Sequence, residues 1–302
     1  MYIGILSRSI QLYSTRALFR AAQVRGHRVR VFDYMNCDIM IKDNRPVLTY
    51  GVEEIPEVDA VIPRIGSSST FHGVAVVRQL QKMGTFSAVD ADAIIKSRDK
   101  LNSLQYLSNE GLGIPNTLFF NNCTDARHNI ESIGGVPVII KLLEGTHGIG
   151  VILAETFKTA EAIIETFSKT KQKFVLQEFI GESKGSDIRA FVVDGQVVAS
   201  MKRSAQPGEF RSNLHRGGKS ISLPLSSKEV ETAIRACEIL GLKVAGVDML
   251  QSDRGPLVLE VNPSPGLEGI SKTTGVDVAG KIIEYIERNT SEQKKLAYDE
   301  IE

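Results

Sequence analysis

No run of about 18 apolar residues occurs in this 302-residue chain, so no helical membrane span is expected. The N-terminal stretch MYIGILSRS has too short an apolar run for a signal peptide, and no small-residue cleavage pattern. There is no excess of charge of either sign: 36 Lys and Arg balance 36 Asp and Glu, so nothing in the overall composition points to nucleic acid or a membrane. Cysteine is scarce. Cys37, Cys123 and Cys237 are odd in number and scattered, which suits buried, reduced thiols of a cytoplasmic protein. The five histidines lack H-x-x-x-H or CxxC companions, so a zinc site is not expected. The first turn, SRSIQLYS, has no glycine, and a pyrophosphate could not approach its backbone as in a dinucleotide fold.

The length allows two or three compact domains. Residues 1–94 read as an α/β unit with a parallel sheet: YIGIL, a helix ending at Gly26, RVRVFD, and a buried strand DAVIPRIG followed by the loop SSST. A helix follows within 94–114, capped by Ser97 or Asp99 and stopped at Gly111. Residues 95–180 carry strand, helix, two strands about a glycine loop, helix, and the strand FVLQEFI. Residues 181–289 are mostly hairpins. One turns at Asp194-Gly195, and SSKE at 226–229 forms a capping box. Residues 290–302 are a polar tail.

Three constellations bear on chemistry. In VIIKLLEGTHGIGVILAE (138–155), Lys141 precedes glycines spaced G-x-x-G-x-G, which fits neither a P-loop nor a Rossmann fingerprint. The flanking residues predict a hairpin with a glycine-rich tip: a phosphate lid with Lys141 as a point charge, or a plain surface hairpin. In VAGVDMLQSDRGPLVLEVNPSPG, a three-residue turn at Asp253-Arg254-Gly255 sets Asp248 opposite Glu260, within one residue for a bulge. Asn262 shares the face of Glu260. Opposed carboxylates repel, and a bound cation removes the problem; two carboxylates and an amide suit magnesium or manganese. Thirdly, MKRSAQPGEFRSNLHRGGK (201–219) sets Lys202, Arg203, Arg211, His215, Arg216 and Lys219 against Glu209 alone, which points to anionic ligands. The Asp194-Gly195 turn places Lys202 opposite Asp187 as an ion-pair partner, with Arg203 facing away.

With PRIG, SRDKL, IIKLLEGTHGIGVILAE, QEFI, SDIRAFVV, FRSNLHRGG, VAGVDML and RGPLVLEVNPSPGLEGISKTTG in hand, the chain resembles the RimK group of the ATP-grasp superfamily. The resemblance implies an α/β N-terminal domain followed by an α+β ATP-grasp fold, two subdomains with antiparallel sheets enclosing ATP. It implies that Lys100 and Lys141 contact phosphates, that Glu178 and Phe179 edge the adenine, and that Asp187 binds ribose. Arg211, Ser212 and Asn213 would belong to the nucleotide loop. Asp248, Glu260 and Asn262 would hold two Mg2+ or Mn2+ ions, and Arg203 would steady an acyl-phosphate. The implied activity is glutamate ligation to the C-terminus of a small-subunit ribosomal protein, by a cytoplasmic homo-oligomer that binds neither membrane nor nucleic acid directly. Competing readings are a ligase for a small-molecule or peptide carboxylate, a kinase, and an ATP-sensing regulator. Arg64 of PRIG is an acceptor contact or a buried structural arginine.

Overall fold

The computed structural model describes residues 1–121, 125–143, 150–206, 208–212 and 217–299, with side chains to 291. Cys123, Gly145, Gly148, Asn213, His215 and Arg216 lie outside the described residues.

The chain opens with β1 (Tyr2–Leu6), α1 (Tyr13–Val24) and β2 (Arg28–Phe32), the two strands pairing in parallel. A small antiparallel sheet of β3 (Cys37–Lys42), β4 (Arg45–Tyr50) and β5 (Glu53–Glu54) then intervenes. Asp43 and Asn44 make its first turn with φ of 50° and 60°, a conformation their short polar side chains tolerate. After β6 (Ala60–Pro63), helix α2 (Thr70–Lys82) and β7 (Phe86–Ser87), the parallel sheet is complete in the order β2-β1-β6-β7.

The expected single helix within 94–114 is two. Helix α3 (Ala91–Arg98) is capped by Asp90 and α4 (Lys100–Asn109) by Asp99, whose extended backbone separates them. Ser97 lies inside α3, and Asp99 places Lys100 at the first position of α4.

The next unit has β8 (Thr117–Phe119), α5 (Ala126–Ser132), β9 (Val138–Leu142), β10 (Val151–Ala154), α6 (Phe157–Lys169) and β11 (Phe174–Glu178). Its antiparallel sheet runs β10-β9-β11-β8 and buries its own core around Ile130, Ile140, Ile164 and Leu176. Strands β9 and β10 pair antiparallel with Lys141 opposite Val151, on either side of residues 144–149, which lie outside the described residues.

The last unit contains β12 (Ser186–Val193), β13 (Gln196–Ser204), β14 (Lys219–Ser222), α7 (Ser227–Leu240), β15 (Val244–Ser252), β16 (Gly255–Asn262), α8 (Leu267–Thr274) and α9 (Val278–Asp299). Its five-stranded sheet is ordered β14-β13-β12-β15-β16. The Ser226–Glu229 capping box opens α7, and Gly241 at φ 74° closes it. A single core runs from the parallel sheet through Ile94, Ala236 and Leu240 into this sheet. The final helix does not stop at 289: Thr290 is buried within it, and it continues to Asp299. Among the described residues no helix is long and apolar enough to cross a membrane.

Candidate active site

Two bulges set the register of the functional face. The turn after β15 has two residues, with Ser252 paired to Gly255, and not the three expected. An irregularity beyond Met249 then inserts Leu259, so Asp248 still faces Glu260. In the β12–β13 hairpin, a bulge at Phe191/Val192 adds one residue to β13 and shifts everything beyond it. Asp187 therefore pairs with Arg203, and Lys202 falls opposite Ile188. The expected Lys202–Asp187 ion pair does not form, and Arg203 takes its place.

Because strand side chains alternate, Asp187 and Arg189 project to one face of β12. Arg203 lies across from Asp187, Asp248 across from Arg189, and Glu260 across from Asp248. Opposite charges thus stand side by side over β13, β12 and β15, and β16 adds a second acid beside Asp248. Arg189 donates to Asp248 through Nε (2.7 Å) and Nη2 (2.6 Å). Arg203 forks onto Asp187, with Nε at 2.7 Å and a further bond from Nη2, and Nη2 also reaches Asp248 Oδ2 at 2.8 Å. Such bidentate pairs fix geometry as well as charge. Arg189 was not singled out from sequence, although its place in DIRAFVV, two residues from Asp187, was the available signal.

The electrostatics follow from crowding. Burial alone would raise the pKa of Asp248, but Arg189 and Arg203 outweigh it and hold the carboxyl at about 2. Burial also opposes the charge on Arg203, and its two acids more than offset this, raising its pKa. Asp187 is pushed up by burial, which its bonds to Arg203 only partly offset. Glu260 is exposed to solvent, yet protein atoms crowd its carboxyl. Desolvation and then Asp248 raise it, against Arg189, Lys141 and Arg203.

Two lysines approach from outside this sheet, one on β9 and one at the start of α4. Lys141 on β9 bonds Gln177, and burial lowers its pKa to about 8, with Glu260 opposing and Lys100 adding to the shift. Lys100 donates to the Leu143 carbonyl at 3.0 Å, and burial lowers it as well. Glu178 ends β11. Its carboxylate takes the Asn116 backbone N–H (2.8 Å), Asn116 Nδ2 (3.0 Å) and Arg254. Its side chain is thus a tie between β11, the segment before β8 and the β15–β16 turn; Phe179 beside it is half-buried. Arg211 is clasped by Glu209 at 2.7 Å, so the acid of the basic loop neutralises one of its cations, and Ser212 is buried where it helps lower the pKa of Asp187.

The repulsion between Asp248 and Glu260 is relieved by guanidinium groups, so it does not by itself demand a cation. The donor chemistry still fits one. Asp248 uses three of about four lone-pair directions. The neighbouring Glu260 carboxylate is solvent-open, and Asn262 Oδ1 is fixed by the Ser264 N–H at 2.8 Å. An all-oxygen edge of this kind suits a hard divalent ion, whereas no group of three or more His, Cys, Asp or Glu among the described residues is placed to hold a metal. Cys37 and Cys237 are buried, with thiols pushed up to about 12, and are inert.

With this geometry in view, the family model for a RimK-like ATP-grasp domain matches residues 97–286, and that for a RimK PreATP-grasp domain matches residues 1–94. A probable alpha-L-glutamate ligase of Syntrophotalea carbinolica is 54% identical over 290 residues, covering 96% of both chains. One from a Picosynechococcus species is 54% identical over 294 residues, covering 97% of this chain and 98% of that one. Among solved structures, the ATP-grasp ligase PsnB, complexed with a phosphomimetic variant of its minimal precursor, Mg and ADP, superposes with a TM-score of 0.74 at 19% identity. The match covers 96% of this chain and 98% of PsnB. The macrocyclase MdnC of Microcystis aeruginosa, bound to the precursor peptide MdnA, gives 0.70 at 16% identity over 95% and 100% of the two chains. At such identities these two structures establish the shared fold alone.

Proposed function

The chain belongs to the RimK-like ATP-grasp family, ligases that form carbon–nitrogen bonds with ATP, and from that premise we propose that it adds glutamate to the C-terminus of the sixth small-subunit ribosomal protein. The observation that carries this reading is the four-strand charged face, where Asp248, Glu260 and Asn262 form an oxygen edge beside Arg203 and Lys141. The relatives named as glutamate ligases, similar over nearly their whole length, support glutamate as the amine.

In the reaction proposed, a carboxylate oxygen of the acceptor attacks the γ-phosphate of ATP. The bond to the β-phosphate oxygen breaks, giving an acyl-phosphate and ADP. The glutamate amine then displaces inorganic phosphate and loses a proton as the amide forms. Magnesium, held by Asp248, Glu260 and Asn262, would supply charge neutralisation at the phosphates. Lys141 and Lys100 place positive charge from the β9 side, and Arg203, fixed by its two acids, presents a pre-set guanidinium to the developing charge. Asp187, Arg211, Ser212 and Asn213 are assigned to the nucleotide, with Glu178 and the backbone at Phe179 edging the base. The β9–β10 hairpin serves as the lid that keeps water from the acyl-phosphate.

Incubating the protein with ATP, glutamate and the purified ribosomal protein, followed by mass spectrometry, tests this directly. Increments of one glutamate residue at the acceptor C-terminus are expected. ADP release with a small carboxylate and no protein product would move the acceptor to small molecules, and a stable phosphorylated product without amine would mark a kinase.

A further inference from the structure

Strand β6 ends at Pro63, and the next residue, Arg64, donates its backbone N–H to Leu6 O at the end of β1 (2.9 Å). From β1 the chain moves to β2 on one side of the sheet, and it later enters β6 on the other. Reversals of this kind open a crevice at the carboxyl ends of parallel strands, which is where open α/β sheets take ligands. Arg64 stands at that point. Its Nη2 donates to the carbonyls of Pro265 (2.8 Å) and Ser264 (3.3 Å), on the loop that leaves Asn262.

Both acceptors are neutral, and among the described residues no carboxylate makes an ion pair with Arg64. Its charged neighbour is another guanidinium, Arg98, itself fixed on the carbonyls of Ile65 and Gly66 (3.0 Å for the latter) and on Thr70 Oγ1 (2.6 Å). Burial first, and Arg98 second, lower Arg64 to about 10. Partly enclosed charges are normally paired, and here two like charges stand together with no carboxylate bonded to either among the described residues. The loop that Arg64 meets also leaves Ser264 Oγ buried without a hydrogen-bond partner among the described atoms. The crevice adjoins the charged face. A Cβ added at Gly246 would lie 2.9 Å from Pro265 Cβ and 3.8 Å from Arg189 Nε, so the 264–265 loop and Arg189 flank the same backbone position.

We propose that Arg64 is a substrate-binding residue whose nitrogens not engaged by the 264–265 loop take a carboxylate of the ligation substrates. This rests on the ligase reading above. A carboxylate fits because guanidinium binds it through two parallel N–H donors, and both substrates carry one: the free amino acid, and the C-terminus of the acceptor chain.

Steady-state kinetics of wild type, Arg64→Gln and Arg64→Lys with ATP, glutamate and the ribosomal protein separate the outcomes, with thermal midpoints recorded alongside. At least a tenfold rise in KM for one carboxylate substrate is expected in Arg64→Gln, and a smaller one in Arg64→Lys, with KM for ATP within twofold. A rise for glutamate alone assigns the free amino acid; a rise for the protein alone assigns the acceptor terminus. Unchanged KM for both in a folded variant, or KM for ATP rising in step, overturns the proposal and leaves Arg64 as a brace for the Asn262 loop. Should Arg64→Gln unfold, Arg64→Lys carries the test. Should wild type transfer no glutamate, the ligase reading fails separately. Equilibrium dialysis of labelled glutamate, and of the acceptor's C-terminal peptide, then decides Arg64. Tenfold weaker retention of one of them by Arg64→Gln supports the site. Equal retention of both, or none by wild type, refutes it.

Discussion

Substituting Arg189 by Met removes one of the two guanidiniums that hold Asp248. The side chains of Arg189 and Asp248 are 15% and 6% exposed, so solvent cannot take over the lost bonds. The face carries three acids (Asp187, Asp248, Glu260) and two arginines, a formal charge of −1 that becomes −2 in the variant. Breaking a buried pair from one side costs about 3–5 kcal/mol, because the remaining charge stays desolvated. The acid limb should move too. Asp248 is depressed from 3.8 to about 2, so its stabilisation is present above 3.8 and is lost as pH falls through about 2. That shift corresponds to roughly 2–3 kcal/mol. Without Arg189 its folded pKa rises, and acid unfolding begins at higher pH. Urea denaturation in EDTA at pH 7, repeated across pH 2–5, measures both effects. A loss below about 1 kcal/mol, in the range of an exposed pair, together with an unmoved acid limb, would refute the reasoning.

Asp248→Asn is expected to reduce ligation by roughly a thousandfold, the scale of removing an electrostatic anchor. It should also lower the thermal midpoint, since Arg189 then faces a neutral amide; undiminished activity would remove Asp248 from the site. Lys141, at about 8, is half neutral at pH 8, and phosphate beside it should restore the proton. Calorimetry in buffers of different ionisation enthalpy should therefore find roughly half a proton taken up per nucleotide at pH 8 and almost none at pH 6.5. No uptake at either pH would contradict a lysine–phosphate contact. Gly113→Ala places a Cβ 2.8 Å from the Pro256 carbonyl oxygen, a backbone atom that cannot swing away. A loss of about 1–3 kcal/mol is expected by denaturation, and unchanged stability would show that the 110–116 segment can yield.

Much of the candidate site was legible because strand periodicity and turn chemistry act locally. Asp194-Gly195, with φ of 51° and 71°, forms the tight turn that its residue types demand. The opposition of Asp248 and Glu260 survived a wrong turn length because the bulge at Leu259 compensated, as the allowance of one residue anticipated. The pairing of Asp187 did not survive, because the extra residue near Val198 is set by packing of the sheet and leaves no mark in the sequence. That same slip hid the arginine balance. Once Arg203 faces Asp187, the row through Arg189 neutralises Asp248, whose repulsion with Glu260 a bound cation was expected to relieve. The β3–β4 hairpin was passed over despite its Asp43-Asn44 turn, since its burial pattern is mostly exposed and gives little alternation to read.

The measurement closest to the central claim is Mn2+ retention with a non-hydrolysable ATP analogue, read by electron paramagnetic resonance in wild type and Glu260→Gln. Glu260 is solvent-open and already raised in pKa, so the amide should leave the thermal midpoint nearly unchanged. Wild type should bind Mn2+ together with the nucleotide, and the variant should bind it at least tenfold more weakly. Equal retention by both proteins would contradict the placement of the cation on the Asp248–Glu260–Asn262 edge.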